Sequence, residues 1–431
     1  MKKLIPQSIK NIYHLAQAVV ANFAYGFPSR NIKVIGVTGT NGKTTTCQMI
    51  AKILEEAGHT VAMASTINFK LGAEEWVNVT KYTTLSPFAT QKFIKKAVEA
   101  KCDYLILETS SHSLDQCRVW GIHYAVAVIT NVTREHLDYH KTIEQYRQAK
   151  AKLFGMADVA VVNLDMEKPE EFLQYNNAVK FGYSLKDTNH KIQDTKKSQI
   201  SNLKSQNIFA NNIKLDIYNS AFQVSGCEFK INLPGEFNIE NSLAAVAVGI
   251  SQNISLEQSA NALAKITGVA GRLESIANDK NLNVMIDYAV TPDSLQKLYQ
   301  YLTSVKKTDS RIIAVFGSCG ERDRGKRPLM GEIVSASADY VIVTNEDPYH
   351  EDPQQIINEV ASGVKNKTEG QNFWKIFDRR EAIAKALSLA KANDIVIVTG
   401  KGAEETMAVG DQRIEWNDKK VIQEELAKIK V

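Results

Sequence analysis

The stretch Val34-Ile-Gly-Val-Thr-Gly39-Thr-Asn-Gly42-Lys43-Thr44-Thr45-Thr46 decides the fold class. It passes from a short apolar run through a glycine turn into a helix-forming segment. Such a turn aims backbone N–H groups and a helix N-terminus at an anion, while Lys43 adds a point charge. A hydroxyl directly after the lysine, here Thr44, is the usual magnesium ligand of a nucleotide loop. The G-x-x-x-x-G-K-[ST] spacing is not met, because Val37 stands at the first glycine position; the shorter G-x-x-G-K-T takes its place. A glycine-rich helix start with a surface lysine is the bland alternative. The strand-like run before the turn favours a nucleotide phosphate held by Gly39, Thr40, Asn41, Gly42, Lys43, Thr44 and Thr45.

Outward from this loop, short apolar runs alternate with helical patterns, the signature of an α/β protein with mostly parallel strands. The clearest are Val34–Thr38, Tyr104–Leu107, Ala125–Thr130, Val159–Asn163, Val284–Ile286, Ile312–Phe316, Val341–Thr344 and Ile395–Thr399. Seven of them stop at a polar or glycine-rich cluster, including Gly39–Thr44, Glu108–His112, Asn131–His136, Gly317–Arg327 and Gly400–Glu404. Open parallel sheets bind ligands at the carboxyl ends of their strands, so these clusters are expected to face one or two shared crevices. Ala178–Tyr183, Asn207–Ile217 and Gln223–Leu233 read as an antiparallel elaboration, with His190–Gln206 as a long exposed loop. A domain boundary is expected near Gly268–Arg272.

The composition bounds the function. The 431 residues are 44% hydrophobic and 23% charged, as in an ordinary globular chain. With 52 basic against 48 acidic residues, the net charge of +4 demands neither a nucleic-acid nor an anionic-membrane partner. Cys47, Cys102, Cys117, Cys227 and Cys319 are scattered without a C-x-x-C pair, which argues against disulfides and structural zinc. No run of 18 apolar residues occurs, so no membrane span is expected. Ile12, Leu15, Ala16, Val19, Val20 and Phe23 recur at helical spacing, which reads as an amphipathic helix docked on the first domain. Lys2 and Lys3 before it mimic a signal-peptide start, but a nucleotide loop fits a cytoplasmic protein better.

Gly39-Thr-Asn-Gly-Lys-Thr44 at a strand end resembles the ATP loop of the Mur ligases, the amide-forming enzymes of peptidoglycan precursor synthesis. Glu108-Thr-Ser-Ser-His-Ser-Leu-Asp-Gln-Cys-Arg118, Thr130-Asn-Val-Thr-Arg-Glu-His136-Leu-Asp138-Tyr-His140, Asp287-Tyr-Ala-Val-Thr-Pro292 and Gly320-Glu-Arg-Asp-Arg-Gly-Lys-Arg-Pro328 look like the tripeptide-synthetase branch, the MurE type. The resemblance spans about residues 31 to 420. It implies a P-loop central domain over 33–270 with a mostly parallel sheet, and a Rossmann-like C-terminal domain over 271–431. Residues 1–32 are then a short helical segment, so most of the family's N-terminal uridine-binding domain is expected to be missing.

The resemblance further implies ATP, two magnesium ions, a UDP-linked muramoyl dipeptide and an incoming amino acid, in a cytoplasmic monomer. ATP phosphorylates the γ-carboxylate of the substrate's D-glutamate, and the amine of the amino acid then displaces phosphate. Lys43, Lys150 and His136 fall on catalytic positions, and Thr44, Glu108, His136 and Lys150 on metal-site positions, with Lys150 carbamylated. Thr83, Thr84, Ser110, Gln116 and Arg118 stand where the family grips the muramoyl dipeptide. Asn238, Asn241, Arg272 and Asp287 look like nucleotide contacts, and Asp347, Gly400 and Glu404 like contacts to the amino acid.

Two of these positions have a reading independent of the family. Thr142 and Gln145 read as a capping box opening a helix whose one face carries Ile143, Tyr146, Lys150, Leu153 and Phe154. A lysine on such a face either snorkels or has a depressed pKa and a special role. His136 alone reads equally as a loop histidine, His112 is taken as structural, and Glu321–Arg327 is also readable as a solvated turn. Two departures stand out. Val290 replaces the family's histidine, and Glu346-Asp347-Pro348-Tyr349 replaces Asp-Asn-Pro-Arg, the loop of diaminopimelate-adding enzymes. Without that arginine no clamp for a distal carboxylate is evident, and an acidic loop suits a lysine-like diamino acid. Competing functions are a folylpolyglutamate-synthase-like ligase, an amidating subunit with a zinc insert, and a catalytically inactive ATP-binding module.

Overall fold

Residues 6–80, 82–186 and 204–429 are described by the structure, a computed structural model. Two open sheets carry the chain. The first has nine strands in the order Glu74–Val77, Asn68–Leu71, Val61–Ala64, Tyr104–Glu108, Lys33–Thr38, Tyr124–Ile129, Ala157–Asn163, Val179–Ser184 and Lys204–Phe209. The last seven run parallel, and the first two add an antiparallel edge. The second sheet orders Glu274–Ile276, Asn283–Asp287, Ile395–Thr399, Ile312–Phe316, Tyr340–Thr344 and Phe373–Ile376, all parallel except the first. The eight apolar runs divide four and four between the sheets. Their uninterrupted hydrophobicity follows from burial on both faces. Ile35 and Val37 enter the apolar cluster on one face of the first sheet, and Val34 the cluster on the other.

Lys33–Thr38 lies between Tyr104–Glu108 and Tyr124–Ile129, so the polar clusters after all three strands converge at one sheet end. That is where a doubly wound sheet opens a crevice.

Three sequence expectations change. Val179–Ser184 and Lys204–Phe209 extend the main sheet in parallel; antiparallel pairing is confined to Asn211–Leu215, Ser220–Val224 and Cys227–Ile231 in this region. The reason is burial, because Phe181, Tyr183 and Ile208 all enter the first core. Of the expected loop His190–Gln206, residues 190–203 lie outside the described residues, and 204–206 begin a strand.

The third change concerns the N-terminal helix. It forms over Gln7–Tyr25, ends at the left-handed Gly26, and packs beside Pro87–Glu99. Its seated side is the polar one. Asn11 Nδ2 donates to the Asp115 carboxylate at 3.2 Å and Asn22 Nδ2 to the Trp120 carbonyl at 2.7 Å, while small Ala18 and Ala21 allow close approach. The seat offers bare acceptors, so amide side chains turn inward, and Ile12, Val20 and Phe23 are left exposed. Among the described residues no helix is long and apolar enough to cross a membrane.

Candidate functional site

The phosphate loop is fastened from three sides. Gly42 takes a left-handed φ of 82° and caps the helix Lys43–Glu56; a Cβ there would lie 2.3 Å from Asn241 Oδ1. The Asn41 N–H donates to Asn131 Oδ1 at 2.9 Å, and Thr130 Oγ1 donates to the Asn41 carbonyl at 2.6 Å. Thr40 Oγ1 lies 3.2 Å from the Tyr146 hydroxyl. Across the crevice, Asn41 Nδ2 donates to Asp293 Oδ2 at 3.1 Å, tying the loop to the half of the chain that carries the second sheet.

Inside this frame sit two lysines. Lys43 Nζ donates to the Thr40 carbonyl at 2.9 Å. Burial holds its pKa below the usual lysine range against the pull of Glu108, and nearby Arg272 adds to the lowering. Lys150, 1% exposed, donates to the Gly39 carbonyl at 2.7 Å with its nitrogen 4.3 Å from the Tyr146 ring centre. Burial, then Lys43, pushes its pKa well below the ordinary value, which favours the neutral amine. The helix carrying it, Ile143–Ala151, opens with Thr142 Oγ1 accepting from the Gln145 N–H at 3.2 Å. Lys150 therefore does not snorkel.

Glu108, the last residue of its strand, is buried and accepts from Thr44 Oγ1 at 3.0 Å and from the Thr66 N–H and hydroxyl, both at 2.8 Å. His136 adopts a left-handed φ of 56°, and its ring lies 4.9 Å from that of His112. Burial first, then the nearby His112, Lys150, Lys43 and Arg322, push the His136 imidazole down to about 2; His112 falls to about 4, mainly through burial. Both rings are therefore neutral at pH 7, the form able to bind a metal. A hydroxyl, a carboxylate and a neutral imidazole beside a phosphate loop suit a hard, partly hydrated magnesium ion. Among the described residues no cluster of three or more histidine, cysteine or acidic side chains is poised for a metal held by protein alone.

Next to Glu108 is a polar floor. Thr84 Oγ1 donates to the Glu108 carbonyl at 3.1 Å and accepts from the Ser110 N–H at 2.9 Å. Thr83 Oγ1 lies 3.1 Å from Thr66 Oγ1, Arg118 Nη1 donates to the Thr84 carbonyl at 3.3 Å, and Gln116 Nε2 donates to the Tyr139 hydroxyl at 3.3 Å. Arg118 Nε is buried without a partner among the described residues. The five expected substrate residues thus lie together.

The nucleotide-contact residues divide. Arg272 stacks on Tyr288 at 4.6 Å and faces Lys43 closely enough to lower its pKa. Asp287 accepts from the Leu273 N–H at 2.8 Å, and burial, countered by Arg272, raises its pKa. Asn238 donates to the Pro234 carbonyl at 2.7 Å, and Asn241 accepts from Thr46 Oγ1 at 3.2 Å. Both asparagines are buried and brace the loop helix from behind. Thr45 is buried in that helix. Val290 contributes its carbonyl, which accepts from Lys326 Nζ at 2.9 Å. Glu321–Arg327 is only partly a solvated turn: Lys326 and Arg327 are buried, and Arg327 pairs with Glu351 at 3.0 Å and Glu359 at 2.5 Å.

The acceptor loop differs most from its expectation. Asp347 is buried, with both oxygens 2.8 Å from Lys401 Nζ and a 2.6 Å bond from the Ala408 N–H. Lys401 also pairs with Glu404. Glu346 is buried against Cys319 Sγ at 2.9 Å, and its second oxygen fills the space a side chain at Gly400 (φ 113°) would need. The acidic loop is therefore an internal charge network, and the basis for a lysine-like acceptor falls away. In its place, the guanidinium carbons of Arg322 and Arg413 lie 5.8 and 5.2 Å from the Tyr349 ring centre. Neither has a carboxylate partner among the described residues, whereas neighbouring Arg324 and Arg327 do. Sequence reasoning missed Thr66, Lys401, Arg322 and Arg413. Lys401 carries a readable signal, a lysine between two glycines after a buried strand; Arg413 carries none.

This fold and site define an α/β ligase built around a P-loop and a second nucleotide-facing domain. Two family models match the chain, the Mur ligase middle domain over residues 37–249 and the Mur ligase, glutamate ligase domain over 271–402. The chain belongs to the Mur ligase family and is an ATP-dependent acid–amino-acid ligase. It is 38% identical over 418 residues to the UDP-N-acetylmuramoyl-L-alanyl-D-glutamate–2,6-diaminopimelate ligase of Syntrophomonas wolfei, covering 95% of this chain and 81% of that one. It is 35% identical to the UDP-N-acetylmuramyl-tripeptide synthetase of Roseiflexus sp. RS-1, covering 94% and 80%. A solved UDP-N-acetylmuramoyl-L-alanyl-D-glutamate–2,6-diaminopimelate ligase superposes with a TM-score of 0.61 at 31% identity, over 92% of this chain and 78% of that one. Mycobacterium tuberculosis folylpolyglutamate synthase complexed with ADP shares the fold, with a TM-score of 0.68 at 18% identity over 90% and 91%.

Proposed function

We propose that this ligase adds the third amino acid to UDP-N-acetylmuramoyl-L-alanyl-D-glutamate in peptidoglycan precursor synthesis. The observation that carries the reading is the meeting, at one sheet end, of the Lys43 loop, the Thr44–Glu108 pair and the Thr84–Ser110–Arg118 floor. Several relatives bearing that reaction's name align over 94–96% of this chain, which supports the same assignment.

In this scheme a carboxylate oxygen of D-glutamate attacks the γ-phosphorus of ATP and ADP leaves. The acceptor amine then attacks the acyl carbon, phosphate departs, and the amine loses a proton. The chain's task is placement and charge compensation. Lys43 and the loop N–H groups, with Thr40, Asn41, Gly42 and Thr45 shaping the turn, hold the phosphates. Arg118, Thr83, Thr84, Ser110 and Gln116 hold the dipeptide. Arg272 and Asp287 close over the nucleotide, while Asn238 and Asn241 stiffen the loop helix. Thr44 and Glu108 would hold one magnesium ion and His136 a second, and the ions would supply charge neutralisation at the transferred phosphoryl group. Neutral Lys150 is suited to become a carbamate by adding its nitrogen to CO2 with loss of a proton, which puts a carboxylate-like group in place of the amine.

The acceptor in this reading is 2,6-diaminopimelate. Arg322 and Arg413 beside Tyr349 supply a grip for its distal carboxylate, while Gly400 and Glu404 flank its amino-acid end. Residues 33–270 and 271–431 act as two domains of a cytoplasmic monomer. The test offers UDP-N-acetylmuramoyl-L-alanyl-D-glutamate, ATP and a panel of 2,6-diaminopimelate, lysine and other amino acids, with a folate acceptor alongside, and follows phosphate release and product mass. Tripeptide product with diaminopimelate supports the assignment. Extension of folate, or no product with any amino acid, overturns it.

A further inference from the structure

The Gln7–Tyr25 helix seats Asn11, Ala18, Ala21 and Asn22 against the protein with Leu15 and Val19 half-buried, and leaves most of its other large apolar side chains in water. At 3.6 residues per turn, Ile9, Ile12, Tyr13, Val20 and Phe23 fall on a single face. Ile12, Tyr13 and Phe23 are 67%, 60% and 70% exposed, and Ile9 and Val20 are more than half exposed. Scattered single hydrophobics on a surface need no explanation, but a continuous stripe along one helix marks an interaction surface.

The charge pattern identifies what it meets. The whole chain carries 52 basic and 48 acidic residues. Residues 1–30 contain Lys2, Lys3, Lys10 and Arg30 and no acidic residue, so the other 401 positions hold 48 of each sign. The entire net charge is concentrated in the segment that bears the apolar stripe. Lys10 is half-buried within the helix, and exposed Arg30 lies 4.6 Å over the Phe27 ring just beyond its end. The adjacent helix Pro87–Glu99 adds exposed Lys92 and Lys96. Neutrality of the chain as a whole concealed this local asymmetry. An apolar helical face with aromatic members and a border in which basic residues outnumber the one exposed acid, Glu99, is the composition of an element that lies in the headgroup region of an anionic bilayer.

We propose that the outward face of the Gln7–Tyr25 helix docks this enzyme reversibly on an anionic lipid surface. The apolar stripe enters the headgroup boundary, and the basic residues meet lipid phosphates. This proposal stands independently of the substrate assigned above. The test is flotation of the full chain with vesicles of mixed phosphatidylglycerol and phosphatidylcholine, and with vesicles of phosphatidylcholine alone. Binding to the mixed vesicles that weakens as salt is raised is expected, with little on the neutral ones. The paired variant Ile12→Ser/Phe23→Ser is expected to lower partitioning by about tenfold or more, and Lys10→Glu by a few-fold, because a single apolar or charged contact contributes little alone. Neither variant touches the crevice, so unchanged ATP-dependent phosphate release verifies that the fold is intact. Equal binding to both vesicle types, or partitioning unaffected by the paired variant, overturns the proposal. So does a concentration-dependent dimer in sedimentation that the same variant abolishes while vesicles are ignored, since the face then belongs to a second copy of the chain.

Discussion

Lys150 and Lys401 are equally buried lysines, one in each half of the molecule, and they end in opposite chemical states. Lys150 meets a carbonyl and a tyrosine ring, with Lys43 as its charged neighbour, so desolvation is unopposed and its pKa falls. Lys401 loses its water as well, but Glu404 and Asp347 outweigh that penalty and raise its pKa. Burial thus leaves the neighbours to decide whether a lysine becomes a reactive amine or a fixed cation. On the proposed function the first half uses the outcome for chemistry, and the second uses it to hold a loop.

The largest effect expected from this contrast is on stability. Lys401→Met leaves two carboxylates without their cation, and denaturant melts should show a loss of about 3–5 kcal/mol. A loss below about 1 kcal/mol would mean that Asp347 and Glu404 are held by other groups. Lys150→Ala should instead fold normally and lose about 10²–10³-fold in turnover, the scale of removing one preorganised electrostatic group. Phosphate release at limiting magnesium measures it, and turnover equal to wild type there would remove Lys150 from the site.

The two lysines also carry opposite pH signatures. Lys150 is depressed in the folded protein, so between its folded value and about 10.4 the unfolded chain binds the extra proton. Stability from this group therefore rises with pH across that window, by up to about 1.4 kcal/mol per unit. Lys401 is raised when folded; its contribution is complete below about 10.4 and disappears as pH passes its folded value. Melts of Lys150→Met in carbonate-free buffer at several pH values should show a flatter profile than wild type between neutral and alkaline pH. An unchanged slope would show that Lys150 stays protonated.

Smaller effects are expected at the edges of the two regions. Arg413→Ala should raise KM for diaminopimelate about tenfold with kcat nearly unchanged, the pattern of lost uniform binding; an unchanged KM would exclude it from the acceptor grip. Asn41→Ala, which removes the bond to Asp293, should cost about 0.5–1.5 kcal/mol in thermal or chemical melts.

The two regions were not equally legible in the sequence. The phosphate loop is a local object: Gly39 to Thr44 contain their own turn, charge and hydroxyl, and the apolar run before them names the strand. The eight buried strands were readable for the same reason. The strands Val179–Ser184 and, at the sheet edge, Lys204–Phe209 were not assignable to a direction, because parallel pairing depends on which neighbour is free. The helix at Gln7–Tyr25 was foreseen, but not its orientation, since periodicity defines two faces and cannot say which one the protein accepts. The acceptor loop misled for a different reason. Glu346 and Asp347 read as an exposed acidic patch until Lys401, more than fifty positions away, supplied the countercharge. Arg413 reaches Tyr349 only because a hairpin, Thr406–Val409 with Gln412–Glu415, folds beside the loop.

The bond between Asn41 and Asp293 links the grip on nucleotide to the relative placement of the halves. Its backbone N–H is fixed by Asn131, so the same residue answers to both sheets. A ligand that strengthens this posture pulls the second half inward, and by thermodynamic reciprocity a molecule gripped by the second half tightens the phosphate loop by the same factor. On the proposed function, nucleotide binding and amino-acid binding are then coupled.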